Sequence, residues 1–194
     1  MKMWLRALTW ILGLVALPPL AGATSLQLLP ATSVVGIGDG FAIQVAISGL
    51  GAQGSPPSVG AFEVAVGFDA SRIGFASASF GALLGDPSNL LETITDVNAT
   101  AGLADLAEVS LLSPGALDAL QPDAFVLATL TFQSLALGTS SLDLAKVVVS
   151  DGFGQPLAIA SLSGAEVSAV PEPAAFLALA TGLLVVRKRL PAFM

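Results

Sequence analysis

The chain has 194 residues and a formal net charge of −7, enough length for one domain once its two ends are set aside. It holds no Cys and no His, which removes disulfides, thiol nucleophiles, thiolate metal sites and the commonest general base. Between residues 24 and 170, two basic side chains stand against thirteen acidic ones, a balance of −11 that disfavours nucleic acid and anionic membrane surfaces as ligands of the middle.

Residues 1–23 read as a secretory signal peptide. Lys2 and Arg6 form a positive start, residues 7–17 are apolar, and Pro18 and Pro19 break the run. Ala21 and Ala23 then supply the small side chains at −3 and −1 that signal peptidase requires, so cleavage is expected after Ala23. The apolar run is too short for a retained transmembrane anchor. Both Trp residues, Trp4 and Trp10, lie in this segment, and the chain has no Tyr. A cleaved product would carry Phe as its sole aromatic residue type.

Residues 24–169 read as one all-β domain. Phe41, Ile43, Val45 and Ile47 alternate with Ala42, Gln44, Ala46 and Ser48, the period of a half-buried strand. Phe62, Val64, Val66 and Phe68 repeat the pattern, with Glu63 and Asp69 assigned to the opposite face. Further strand-like runs cover 73–79, 90–97, 103–112, 125–134, 140–144, 147–150 and 165–169. Gly-, Pro- and Asp-rich groups separate them, including a long surface loop expected at 51–58. Residues 114–120 suit one helical turn, whereas 90–91 and 103–108 are ambiguous because Ala and Leu also favour helix. Many short strands at regular spacing predict a β-sandwich.

Residues 170–190 form a third unit. Val170-Pro171-Glu172-Pro173 precedes thirteen uncharged residues, 174–186, and then Arg187, Lys188 and Arg189. As a helix the uncharged run spans only ~20 Å against a hydrocarbon core of ~30 Å, a reach that snorkelling basic side chains can extend. The basic triplet is expected to stay cytoplasmic. Pro171 and Pro173 forbid helix upstream of it, leaving an extended, accessible stretch.

That tail resembles the PEP-CTERM sorting signal in the order of its three features: the Val-Pro-Glu-Pro group, the short Ala/Leu/Gly-rich run with Thr181-Gly182-Leu183-Leu184, and the terminal basic cluster. The resemblance implies export by a Gram-negative, exopolysaccharide-producing bacterium, transient anchoring in the inner membrane, and processing by an exosortase-type enzyme. The segment Leu190 to Met194 departs from it, since family members often end at or near the basic cluster.

The middle resembles a cohesin-type domain. The matching stretches are Gly38-Asp39-Gly40-Phe41 running into Gly49, Gly60-Ala61-Phe62-Glu63 through Asp69, Ile73-Gly74-Phe75, and the pairing of residues 127–132 with 141–144. The resemblance implies a jelly-roll sandwich of about nine strands, related to some carbohydrate-binding modules. A sheet face would serve as a protein-docking surface, with a dockerin-like partner in trans. Signal and tail helices would flank it.

Few residues are candidates for chemistry. Glu63 with Asp69, or Asp105 with Glu108, are candidates for the carboxylate pair a glycosidase would need, but Glu63 and Asp69 fall on the expected solvent face of one strand, where charges are ordinary. Asp39, Asp69, Asp86, Asp96, Asp118 and Asp151 mostly lie near turns, where Ca²⁺ binding and simple turn formation both explain them. Sugar platforms usually use Trp or Tyr; Phe80 and Phe153, both assigned to loops, are the substitutes for loose exopolysaccharide association. The sequence reading is therefore a non-enzymatic surface or matrix binding module, the alternative being a weak polysaccharide-binding module.

Overall fold

The computed structural model describes residues 23–30, 32–51 and 58–171. The strands are β1 (Ser25–Pro30), β2 (Val34–Gly36), β3 (Gly40–Ser48), β4 (Val59–Phe68), β5 (Ile73–Phe80), β6 (Thr93–Thr100), β7 (Leu103–Ser110), β8 (Ala124–Ser134), β9 (Gly138–Asp151), β10 (Ser161–Ser163) and β11 (Ala165–Val170). One helix, α1 (Pro114–Leu120), lies between β7 and β8. Its start is set locally, since Ser113 caps it through Oγ and Pro114 stands where no N–H is needed.

The strands form a five-stranded sheet, β10-β1-β3-β8-β5, packed on a six-stranded sheet, β2-β11-β9-β4-β7-β6. Alternation decides what lies between them. Leu26 and Leu28, Phe41 through Ile47 by twos, Phe62, Val64 and Val66, and Leu130 and Phe132 are all buried. Phe132 is the hub, with ring centroids of Phe41, Phe68 and Phe75 at 5.8, 5.2 and 5.9 Å.

Two β-bulges explain positions where a plain period of two breaks. The β3–β8 register shifts between Val45 and Ala46, so Phe125 and Leu127 face inward before the bulge and Leu130 and Phe132 after it. The β4–β9 register shifts between Ala65 and Val66, opposite Ala145. Leu142 and Leu144 therefore point inward on one side of the bulge, and Val147 and Val149 on the other. The runs 140–144 and 147–150 are one continuous strand that changes phase.

The sandwich has eleven strands among the described residues; β2 and β10, three residues each, add to the main strands by parallel pairing with β11 and β1. Residues 90–91 are turn, and β6 begins at Thr93. Most of the 51–58 loop, the signal segment through Gly22 (Ala21 included), and Glu172, Pro173, Arg187, Lys188 and Arg189 lie outside the described residues. Among the described residues no helix is long and apolar enough to cross a membrane.

A candidate docking face on the six-stranded sheet

The register places outward side chains of the six-stranded sheet in rows across β9, β4, β7 and β6. The first row is Ser150, Ala61, Val109 and Ile94; the second is Val148, Glu63, Ala107 and Asp96; the third is Lys146, Ala65, Asp105 and Asn98. Val109, Ile94 and Val148 are each about half exposed although they are β-branched strand residues. Between Val109 and Val148 lies a shallow depression of about 230 Å³, lined also by Ala61, Ala107, Glu63 and Ser150. Small side chains in the middle of the row keep the surface low while branched ones rise around it.

The apolar strip continues past the strand ends. Leu111 is half exposed, and its N–H donates to the Glu92 carbonyl at 2.7 Å, which brings in the 86–92 turn. Leu90 and Leu91 at that turn are 76% and 85% exposed. The turn is braced from within: Asn89 Nδ2 donates to Glu92 Oε1 at 2.9 Å, the Asp86 N–H donates to Glu92 Oε2 at 3.0 Å, and the Leu91 N–H donates to Asn89 Oδ1 at 3.1 Å. A fixed turn that presents two leucines to water differs from scattered exposed leucines, which need no explanation.

Charge surrounds this strip. Lys146 Nζ and Glu63 Oε1 are 2.5 Å apart, a cross-strand pair on the open face. The hydrogen bond that Lys146 Nζ donates to Glu63 raises the Lys146 pKa against a smaller lowering by desolvation, and the Glu63 and Asp105 charges add to the rise. Lys146 thus neutralises Glu63 and leaves Asp96 and Asp105 as an acidic border.

Glu108 lies directly beneath. It is fully buried on β7, on the inner face between Leu106 and Ser110, and pairs in register with Phe62. Thr93 Oγ1 donates to its Oε1 at 3.0 Å, while Oε2 has no partner. Desolvation pushes its pKa up to about 7, against the lowering effect of the Thr93 bond. Asp105 and Glu108 therefore occupy opposite faces of β7 and form no pair. Glu63 is engaged with Lys146, and Asp69 with Ser71 and Arg72, so the other carboxylate pair is not assembled either.

The turn aspartates serve the backbone. Asp39 Oδ2 accepts from the Gly36 N–H, Asp69 Oδ1 from Ser71, Asp86 Oδ1 from Ser88, and Asp151 Oδ1 from the Phe153 and Gln155 N–H groups. Asp118 accepts from Ser58 Oγ at 2.6 Å, and Asp96 stands on the docking face. Among the described residues no group of three carboxylates converges on a metal position. Phe80, assigned to a loop from the sequence, is the last residue of β5 and packs on Phe62 with centroids 6.1 Å apart. Phe153 is an exposed turn residue as expected.

The outer face of the five-stranded sheet contrasts with this. Register places Ser25, Gln27, Gln44, Thr129, Thr131, Gln133, Ser77 and Ser79 on it, and no charged residue of those strands. A groove of about 320 Å³ along β9 beside Pro156, Leu157 and Leu162 is lined by apolar side chains and brings no titratable group together.

No protein-family model matches the chain, and no curated protein matches it. Solved structures do. The sixth cohesin of Acetivibrio cellulolyticus scaffoldin B, solved in complex with a Cel5 dockerin mutant, matches with TM-score 0.59 at 16% identity, over 76% of this chain and 99% of the cohesin. The cohesin module of a Clostridium perfringens family 33 glycoside hydrolase gives 0.60 at 16% identity, over 78% and 99%. A non-cellulosomal cohesin from the archaeon Archaeoglobus fulgidus gives 0.57 at 11%, over 80% and 97%. At these identities the likeness carries the architecture alone: the chain is a cohesin-like β-sandwich.

Proposed function

We propose that this protein is an exported, non-enzymatic binding module that docks another protein on the outer face of its six-stranded sheet. The observation that carries the reading is the apolar strip of Val148, Val109, Ile94, Leu111 and the 90–91 turn, bordered by Asp96 and Asp105. Specific interfaces centre on a desolvated apolar core with a polar rim, the arrangement present here. The cohesins it resembles include modules solved with dockerins, so a dockerin-like protein in trans is the partner class. Neither candidate carboxylate pair assembles, which supports binding over catalysis.

The tail supports export and sorting. Val170-Pro171-Glu172-Pro173, the uncharged run and the basic triplet suit an exosortase-type processing enzyme acting at the inner membrane, with the sandwich delivered to the envelope surface or the extracellular matrix of a Gram-negative cell. An intact mass of the protein from its native surface tests this: loss of residues 1–23 and of everything after Pro173 fits, and retention of Arg187 through Met194 does not.

A second reading, loose exopolysaccharide association, rests on the uncharged Ser/Thr/Gln face of the five-stranded sheet. Its lack of aromatic platforms ranks it below protein docking. The two separate in one experiment. An envelope extract is passed over the immobilised sandwich, its Ile94→Lys/Val109→Lys variant, and its Thr129→Lys/Gln133→Lys variant. Protein docking predicts loss of the captured protein with the first variant alone; polysaccharide retention lost with the second variant would favour the alternative.

A further inference from the structure

Strand direction separates the two ends of the sandwich. β1 starts at the end carrying Ser48, Thr93 and Asp151; β11 finishes at the other, carrying Gly36, Gly40, Phe68 and Gly138. At that second end three loops are tied together. The Ile37 N–H donates to the Val170 carbonyl at 3.2 Å, the Gly38 N–H to the Ser134 carbonyl at 2.9 Å, and the Leu135 N–H to the Arg72 carbonyl at 2.7 Å. Arg72 Nη1 donates to the Leu137 carbonyl at 2.6 Å. Gly138, at φ 113°, accommodates that guanidinium, since a Cβ there would collide with Nη1. The result is a braced platform presenting Ile37, Leu137 and Val170, which are 39–47% exposed.

Chain length then limits where this platform can be. Val170 is the last residue of β11, and only Pro171, Glu172 and Pro173 separate it from the thirteen-residue uncharged run. Three extended residues span ~10 Å. The polar headgroup zone beside the hydrocarbon core is itself roughly 5–8 Å deep. If the run enters a bilayer, the platform must stand at its surface.

The distribution of charge agrees. The end remote from β11 carries Asp86, Glu92, Asp118, Asp123 and Asp151 with no cation among the described residues. The β11 end carries Arg72, one of the two cations among the described residues, with Asp39, Asp69 and, further inward, Glu166 and Asp143. Asp69 is ion-paired to Arg72 at 3.2 Å, and Asp39 is occupied by the Gly36 N–H at 3.0 Å.

We infer that this end of the sandwich rests on the membrane surface through Ile37, Leu137 and Val170, holding the docking strip and the 90–91 turn toward the far end. The inference rests on the reading of residues 174–186 as a membrane segment. Its content is that the folded domain itself touches lipid rather than hanging free on a linker.

The test uses residues 24–194, which retain every core position from Leu26 to Ala169. That chain has no Trp or Tyr, so Leu137→Trp or Leu91→Trp gives a single fluorophore. Each protein is reconstituted into phosphatidylcholine vesicles, with and without brominated acyl chains, and floated on a density gradient. The inference predicts co-flotation, with Leu137→Trp emission blue-shifted and quenched by the brominated lipid and Leu91→Trp unaffected. Flotation with both tryptophans equally water-exposed overturns the surface contact and leaves the tail reading standing. No flotation, or equal flotation of a chain ending at Pro173, overturns the tail reading itself.

Discussion

The Thr93 hydroxyl donates to Glu108 Oε1 at 3.0 Å under the docking face, and the second carboxyl oxygen of Glu108 meets no donor. Burial holds this carboxyl near pKa 7, above its ordinary 4.5. The sign follows from linkage. Below pH 4.5 both folded and unfolded chains carry the proton; between 4.5 and 7 only the folded one does; above 7 the folded state holds a buried charge. Stability therefore falls as pH rises from 4.5 to 7, by on the order of 1–3 kcal/mol from this group. Glu108→Gln keeps the acceptor for Thr93 and cannot ionise. Urea unfolding at pH 5 and pH 8 should show the slope in the parent and its loss in the variant, with the variant more stable at pH 8.

Asp69 and Asp86 act in the opposite sense. Hydrogen bonds from Ser71 and Ser88 hold their pKa values below the ordinary 3.8, so their stabilising contribution is present above that pH and is lost as the pH falls through their lowered values. A stability maximum on the acid side of neutrality is the combined expectation, and thermal melts from pH 3 to 8 will locate it.

Much of the architecture was legible because alternation is a direct consequence of strand geometry. Phe41 to Ile47 and Phe62 to Phe68 announce two central strands and which side of each is inside. The helix at 114–120 follows from the Ser113-Pro114 start. Where the reading failed, a local signal was absent. The bulge at Ala145 reversed the phase of β9, splitting one strand into two apparent runs. The burial of Glu108 was not legible, because the stretch 103–108 fits strand or helix and nothing in its neighbours announces an inward carboxyl bonded by Thr93 alone. The docking strip assembles residues from five segments, and only the register brings Ile94, Val109 and Val148 together.

Gln121, the C-cap residue of α1, is a clamp. Its Oε1 accepts from the Val59 N–H at 2.7 Å, and its Nε2 donates to the Val59 and Leu83 carbonyls at 2.8 and 2.9 Å. Gln121→Leu keeps the volume and leaves these buried backbone groups unpaired, a cost of about 1–3 kcal/mol read as a lower urea midpoint.

Phe132, fully buried at the centre of the aromatic cluster, is the most sensitive packing position. Phe132→Ala should cost about 3–5 kcal/mol, whereas an equivalent change at exposed Phe153 should leave the melting temperature nearly unchanged.

Lys146→Ala separates stability from recognition. Its pair with Glu63 is exposed, so unfolding should be scarcely altered. The docking face would lose its one cation and Glu63 its neutralising partner, so affinity for a basic-rimmed partner should rise and become more sensitive to salt.

The most direct measurement of the central claim is site-specific photo-crosslinking in the native cell envelope, with the reactive side chain at Val109 in one strain and at Thr131 on the opposite sheet in another. Docking on the six-stranded face predicts a discrete crosslinked protein from position 109 and none from 131. Crosslinks from 131 alone, or none of defined mass from 109, would contradict it.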